Sequence, residues 1–445
     1  MIRNPEEHGT PECLALERAS LLGNPMPSEQ PLYSVSEVAD IFSVSKAVVE
    51  SWGKSGKLTA RREGRSGKRI YAAEDVRKLD PQNPFFHTGT PTPRPVPLRP
   101  YRLIELFAGA GGLALGLERA GMHSLMLNEI DRNACATLRA NRPDWYVIQG
   151  GVANIDFKAY QGKADILAGG FPCQAFSYAG RKLGFKDTRG TLFYEWARAI
   201  DETRPAVVVA ENVRGLLRHD GGRTLETMLA VIRELGYSPL EPRVLKAIHH
   251  RVPQKRERLI IAAFRNDVAC HAGFGWPVPE GKIYTVRDAL KRGELFPSDV
   301  PESPGERYTV AKAKVMGQVP PGGYWRDLPE SVQREYMQKS FFLGGGKTGM
   351  ARRMSWDEPC LTLTCSPAQK QTERCHPEET RPFTIREYAR IQTFPDDWEF
   401  SGSRSSVYKQ IGNAVPVNLA EALGLSIVAA MNRIEAAQAP KALLK

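Results

Sequence analysis

From Tyr101 onward, short apolar runs alternate with amphipathic helical stretches, the pattern of a parallel sheet flanked by helices. The candidate strands are residues 102–107, 124–128, 165–168, 206–210 and 259–264. In the stretch 190–203, Leu192, Phe193, Trp196, Ala197 and Ile200 recur at helical spacing and share a face. After Phe264 the periodicity lapses into a Gly- and Pro-rich stretch, 268–380, and helical signals return at 384–392 and 416–433. Ahead of this region, segments 34–42 and 46–54 predict two short helices around a break at Ser43–Ser45, with Ser34 or Ser36 as an N-cap. A glycine-containing run with Lys57, Arg61, Arg62, Arg65, Lys68 and Arg69 follows, and predicts a β-wing. The organisation expected is a flexible tail (1–32), a small unit (33–80), a stiff linker with seven prolines (81–100) and an α/β domain (101–267). A less regular segment (268–380) precedes a return to the α/β domain (381–433) and a short tail (434–445).

Composition narrows the partners. The formal net charge is +11, and a basic surplus of that size favours a polyanion such as nucleic acid. The seven cysteines include no Cys-x-x-Cys pair, so neither a disulfide framework nor a zinc ribbon is expected. Cys375 and His376 lack two further ligands at suitable spacing, and no metal is expected there. The N-terminal residues lack a basic flank followed by an apolar core, and no unbroken apolar run approaches the ~18 residues of a membrane span. By elimination the expected compartment is the cytoplasm, without a membrane.

The chemistry falls at the strand ends, where ligands bind in open parallel sheets. Gly109-Ala-Gly-Gly112 follows the first candidate strand and Asn128-Glu129 ends the second. Pro172-Cys173 follows the third, and Glu211-Asn-Val213 follows the fourth. Gly109, Gly111 and Ala114 fit the dinucleotide fingerprint, with the acid Glu129 roughly 20 residues on to accept ribose hydroxyls. NAD and S-adenosylmethionine share those needs, so the loop alone indicates a nucleoside cofactor. Cys173, in a loop after a proline with polar Gln174 and Ser177 beside it, is placed as a nucleophile rather than as a buried structural thiol. Glu211 closes the apolar run Ala206-Val-Val-Val-Ala210. Desolvation there suits it to hold a proton, while a cap of the next element is the plainer role. In Gln254-Lys-Arg-Glu-Arg258, the arginines either hold an anion or a carbonyl oxygen, or pair with Glu257.

Taken in order, Phe107-Ala-Gly-Ala-Gly-Gly112, Gly170-Phe-Pro-Cys-Gln174, Asp187-Thr-Arg-Gly-Thr191, Glu211-Asn-Val213 and Gln254-Lys-Arg-Glu-Arg258 resemble the DNA cytosine-5 methyltransferases of bacterial restriction–modification systems. Two further motifs, which begin at Arg381-Pro-Phe-Thr and Gln410-Ile-Gly-Asn, extend the resemblance over about 101–433. It implies a Rossmann-like S-adenosylmethionine-dependent methyltransferase sheet with a smaller target-recognition domain at 268–380. Phe107, Ala108, Gly109, Ala110, Gly111 and Gly112, with Glu129, Ile130, Pro172 and Asn413, are then expected to hold S-adenosylmethionine. Cys173 is expected to attack carbon 6 of a cytosine flipped out of duplex DNA. Glu211 would hold ring nitrogen 3, Arg258 the carbonyl oxygen with Arg256 beside it, and Gln174 and Ser177 would contact DNA. One position departs from the family pattern. Gly151 stands where an Asp usually meets the adenine, with Asn154 and Asp156 as candidates to compensate.

The N-terminal unit, with Trp52, Gly56-Lys-Leu58, Arg69-Ile-Tyr71 and Asp75-Val76, resembles the winged helix-turn-helix of MerR and excisionase proteins. That resemblance implies DNA contacts from Lys46, Arg61, Arg62, Arg65 and Arg69, serving either as a tether or as a repressor of the enzyme's own promoter. The chain is then expected to be a monomer, or a dimer through this unit. Three rivals remain at this point: a nicotinamide oxidoreductase, a tRNA cytosine-5 methyltransferase, and a DNA-binding regulator with weak catalysis.

Overall fold

A computed structural model describes residues 32–63, 67–86, 94–172, 191–343 and 347–439, with the side chains of Glu63 and Pro84 left out. Residues 1–31 of the expected N-terminal tail, Arg65, Cys173, Gln174, Ser177 and residues 187–190 lie outside the described residues. The chain divides into two compact units, Met1–Pro81 and Gln82–Lys445.

In the first unit, β1 (Leu32–Ser34) leads into helices α1 (Val35–Phe42) and α2 (Lys46–Lys54), then strands β2 (Arg61–Glu63) and β3 (Lys68–Ala72) and helix α3 (Ala73–Leu79). Helix α1 starts at Ser34 because Ser34 and Glu37 form a reciprocal capping box, in which the Glu37 amide donates to the serine hydroxyl and the Ser34 amide to the Glu37 carboxylate. It stops at Ser43, whose left-handed backbone turns the chain towards α2. Val38, Ile41, Val49, Leu58, Tyr71 and Val76 form the buried core. The expected wing is the antiparallel pair β2–β3, in which Arg62 stands opposite Arg69.

The second unit is built on one sheet. Its elements run β4 (Tyr101–Leu106), α4 (Gly112–Arg119), β5 (Met122–Glu129), α5 (Arg132–Asn141), β6 (Val147–Gln149), β7 (Ile166–Gly169), α6 (Leu192–Thr203) and β8 (Val207–Val213). They continue as α7 (Arg223–Glu234), β9 (Tyr237–Pro239), β10 (Arg243–Lys246), β11 (Gln254–Lys255) and β12 (Glu257–Arg265). The sheet order is β10-β12-β8-β7-β4-β5-β6, with β9 also on β12. Strands β4 to β8 pair in parallel, and β12 joins β8 antiparallel. The chain therefore leaves β4 first to one side and then to the other, which opens a crevice at the carboxyl ends of β4 and β7. Strands β7 and β8 are buried on both faces, hence their nearly unbroken apolar sequences.

Beyond β12 come α8 (Asn266–Ala272), α9 (Val286–Leu290), α10 (Val310–Met316), α11 (Glu330–Met337), β13 (Cys360–Leu361), α12 (Ile385–Ile391), α13 (Arg404–Asn413) and α14 (Val417–Gln438). A second, smaller core of Met316, Val319, Trp325, Leu328, Met337 and Met350 sits under α10 and α11. The stretch Arg404–Gln438 is long and apolar enough to cross a bilayer by composition. Asn418 and Glu421 interrupt its apolar run. Leu419, Leu423, Ile427 and Ile434 of α14 are instead buried in the core. Its contact with α4 is close because only small residues meet. A Cβ on Gly116 would lie 2.4 Å from Ala420, and one on Gly424 would lie 2.6 Å from Ala120. The end of the proline-rich stretch is fastened to the same helix, with Arg94 paired to Glu421 and Arg99 to Asp165 and Glu435.

Candidate active site

The glycine loop begins with Phe107 in the left-handed region, at φ 61°. That turn lifts the chain off β4 and brings the Gly109 amide to the Glu129 carboxylate at 2.7 Å. The other carboxylate oxygen accepts from the amides of Ile130 and Asp131, both at 2.8 Å. Three backbone donors thus fix Glu129 at the end of β5, with no ion pair to it among the described residues. Ile130 beside it is 72% exposed, an apolar face open at the rim. Ala108 and Ala110 are buried, and a side chain on Gly112 would meet the Val415 carbonyl at 2.2 Å. The loop is therefore closed from behind by the segment that follows α13. Asn413, the last residue of α13, is exposed there, and its side-chain oxygen accepts from the Cys365 thiol at 3.1 Å.

Glu211 and Arg258 meet across β8 and β12. Ile260 lies opposite Glu211 and Arg258 opposite Val213, so the two charged residues are diagonal neighbours on one face. The guanidinium Nε stands 2.5 Å from the Glu211 carboxylate, and both side chains are nearly buried. The carboxyl expected to be simply desolvated is thus half of an ion pair. Glu257 does not pair with Arg258 but with Arg214, at 2.7 Å. Gly170 lets the carboxylate sit where it does, since a Cβ there would lie 2.9 Å from its oxygen.

Arg256 is placed differently from Arg258. It is 2% exposed, and its terminal nitrogens donate to the carbonyls of Leu363 and Gly412 at 3.2 and 3.0 Å, with Asn413 at 3.4 Å. Regular alternation would set Arg256 and Arg258 on one face. A tight turn, with the Arg256 amide on the Gln254 carbonyl at 2.9 Å, breaks the strand and rotates Arg256 inward. Burial pulls its pKa down to about 9. Its guanidinium ties the sheet to the residues that carry Asn413, with Arg258 and Glu211 as charged neighbours.

Two further residues escaped the sequence reading. Asn212 donates to the carbonyl of Phe171 at 3.0 Å, and so pins the chain between β7 and Pro172. The Val213 amide holds the other end of that side chain at 2.8 Å. The motif around Glu211 was visible, but its asparagine had no assigned task. Glu105 on β4 is fully buried with one oxygen unpartnered among the described residues. Burial, with Glu129 and Glu211 nearby, pushes its carboxyl well above the usual range. An acid inside an otherwise apolar strand was the available signal.

Pro172 is exposed at the end of the β7 loop. In the first unit, Lys46 opens α2, and Arg61 and Arg62 are exposed on the wing. Gly151 is open, since a Cβ there would meet only the Asn154 side-chain nitrogen, at 3.8 Å. Asp156 is committed to capping the next turn through the Lys158 amide at 3.1 Å.

Comparison with known proteins gives two family matches. Residues 101–429 match the C-5 cytosine-specific DNA methylase family, and residues 33–87 match the MerR HTH family of regulatory proteins. The chain is 61% identical over 402 residues to the type II methyltransferase M.Eco47II of Escherichia coli, which covers 90% of this chain and 96% of that one. It is 57% identical over 401 residues to the type II methyltransferase M.PspPI of a Psychrobacter strain, covering 90% and 96%. Among solved structures, S. pombe Dnmt2 methyltransferase aligns with TM-score 0.51 at 17% identity, covering 75% of this chain and all of that one (100%). That last likeness is one of fold.

Proposed function

Because the chain belongs to the C-5 cytosine-specific DNA methylase family, we propose that it methylates carbon 5 of a flipped-out cytosine through Cys173, Glu211 and Arg258. The observation that carries this is the Glu211–Arg258 pair at 2.5 Å, set at strand ends beside the backbone-held carboxylate of Glu129. Carbon 5 of cytosine is a weak nucleophile. Addition of the Cys173 thiolate to carbon 6 moves electron density onto carbon 5, and the charge spreads to ring nitrogen 3 and the carbonyl oxygen. Ring nitrogen 3 takes up a proton across a hydrogen bond held by Glu211 and gives it back on elimination, while Arg258 donates to the carbonyl oxygen. The pair is preorganised, so no reorganisation is needed as charge develops. After transfer, loss of the carbon 5 proton returns the bonding electrons to the ring and expels Cys173. Asn212 keeps the thiol's loop in register through Phe171. The test is conversion sequencing of DNA from cells expressing the protein. Protected cytosines at one recurring sequence are expected, and their absence from a folded, expressed protein refutes the reading.

The residues at the crevice fit S-adenosylmethionine as the donor. Glu129 has lone pairs left for ribose hydroxyls, Ile130 offers an apolar face for an adenine, and the glycine loop with Asn413 closes the pocket. When bound, this cofactor supplies an electrophilic methyl group. Of the two candidates to replace the missing Asp, Asn154 is favoured, since it borders the open Cβ position of Gly151 while Asp156 is occupied. Gly151→Asp is expected to tighten cofactor binding by roughly three- to tenfold, about the worth of one hydrogen bond, and Asn154→Ala to weaken it similarly. Calorimetry that finds no change in either variant removes this compensation.

Segment 268–380 is proposed as the target-recognition region and the first unit as an additional DNA-binding element. On the wing, Arg62 directly opposite Arg69 is unfavourable unless an anion such as a phosphate lies between them. Deleting residues 1–81, the first unit, is expected to weaken duplex binding and flatten its salt dependence while methyl transfer persists. A truncated protein that folds and binds cofactor yet transfers nothing contradicts that division.

A further inference from the structure

Glu105 is a carboxyl in the middle of the sheet, on the strand that leads into the glycine loop. It is 2% exposed, and its Oε2 has no hydrogen-bond partner among the described residues. Its strand neighbours Leu103, Ile104 and Leu106 are the apolar residues that such a position ordinarily takes. An ionised carboxylate without a partner is too costly there, so burial, with Glu129 and Glu211 nearby, keeps its proton on. Those two carboxylates are met, Glu129 by three backbone amides and Glu211 by Arg258. A polar group left buried and unmet in a native fold needs a reason, and the position of Glu105 supplies one.

Strand pairing sets Glu105 opposite Leu127 of β5 and Ala168 of β7, and Ala168 opposite Val209 of β8. Side chains alternate along a strand, so Glu129, Gly170 and Glu211, each two residues further on, lie one row above on the same face. Glu105 is therefore beneath the span between the Glu129 and Glu211 carboxylates. Its neighbours on the side of Glu211, Ala168 and Gly170, are small. Beyond the end of β4, a Cβ on Gly109 would meet nothing within 4 Å, so the crevice is open there. The charged groups that face Glu105 are Glu129 of β5 and Glu211 of β8, the latter against Arg258 of β12. Leu113 and Leu117 of α4 and Leu419 and Leu423 of α14, which cover this face, are apolar.

We propose that Glu105 selects the charged methyl donor over its neutral product, by supplying a carboxylate to the sulfonium. This rests on the reading that the crevice takes S-adenosylmethionine. With the ribose at Glu129 and the target ring at Glu211, the transferable methyl has to lie between them, over Glu105. A positive charge there offsets the repulsion that keeps Glu105 protonated, so its proton passes to bulk water as the donor binds. Methyl transfer leaves a thioether without that charge, and Glu105 then takes a proton back from water. The other contacts hold donor and product alike, whereas this one favours the donor and so promotes the exchange of one for the other.

The test is calorimetric titration of the full chain, without DNA, by S-adenosylmethionine and separately by S-adenosylhomocysteine. It is run at about pH 6.5, where the α-amino group of either nucleoside keeps its proton. Repeating each titration in buffers of different ionisation enthalpy counts the protons exchanged. Wild type is expected to release about one proton with S-adenosylmethionine and none with S-adenosylhomocysteine. Release on binding means that donor affinity rises with pH, by up to about tenfold per unit, where the free protein holds the proton and the complex does not. Glu105→Gln keeps the shape and neutrality of the free acid, so the melting temperature should hold. It should abolish the release, flatten the pH dependence and cut the preference for donor over product by about tenfold or more. No release in wild type overturns the proposal, whether or not the variant folds. So does release that persists in Glu105→Gln, or an unchanged preference between the two nucleosides. If neither nucleoside binds the folded protein, the cofactor reading itself fails, and the proposal falls with it.

Discussion

Replacing Cys173 by Ser should lower methyl transfer by roughly 10^4-fold or more, with cofactor and duplex binding retained. A hydroxyl is a far weaker nucleophile than a thiolate at neutral pH. The substitution spares the frame around the loop, because Asn212 fixes the chain at Phe171, two residues before it. Single-turnover transfer measured beside calorimetric cofactor affinity separates the outcomes. Activity within tenfold of wild type would show that Cys173 is not the nucleophile.

The second large effect concerns the ion pair. Glu211→Gln and Arg258→Ala should each reduce the turnover rate by about 10^2- to 10^4-fold. Each also leaves a nearly buried charge without its partner, which is expected to cost about 3–5 kcal/mol of stability. The double variant should lose less than the sum of the two, in both rate and stability, because the second change removes the charge that the first stranded. Additive effects in a double-mutant cycle would sink the coupling. Gly170→Ala gives the same test from the other side. Its methyl would press on the Glu211 carboxylate, and a cost of about 1–3 kcal/mol is expected at that contact. A variant with unchanged turnover would mean that the carboxylate is not held where the chemistry needs it.

Much of the sheet was legible because its strands are buried on both faces. The run Ala206–Ala210 has one physical use, a central parallel strand, and β8 forms there. The acid after it was equally visible, but β8 runs on to Val213, so Glu211 lies within the strand, paired opposite Ile260, and not past its end. The N-cap of α1 was narrowed to two serines, and the capping box settles on Ser34 because only there does Glu37 reach back. By contrast, α13 went unread. Its sequence, Arg404-Ser-Ser-Val-Tyr-Lys-Gln-Ile-Gly-Asn413, mixes β-branched, small and polar residues without a clear stripe. Packing of Val407, Tyr408 and Ile411 stabilises it rather than propensity.

The motif Gln254-Lys-Arg-Glu-Arg258 shows where the boundary runs. Its residue types announced a polar site, and strand alternation gave its two arginines the same fate. A three-residue turn over Gln254–Arg256 interrupts the strand at Arg256, so that Arg258 pairs with Glu211 and Arg256 bonds to carbonyls more than 100 residues away in sequence.

By itself, the sequence determined which strands form and which chemical groups stand at their ends, because burial and period act over a few neighbouring residues. It could not determine which of those groups meet. The closure of the glycine loop by Val415, the arrival of Asn413 and the pairing of Glu211 with Arg258 depend on segments far apart in the chain. Only the packed tertiary structure brings them together, since no local pattern carries the register of a long-range contact.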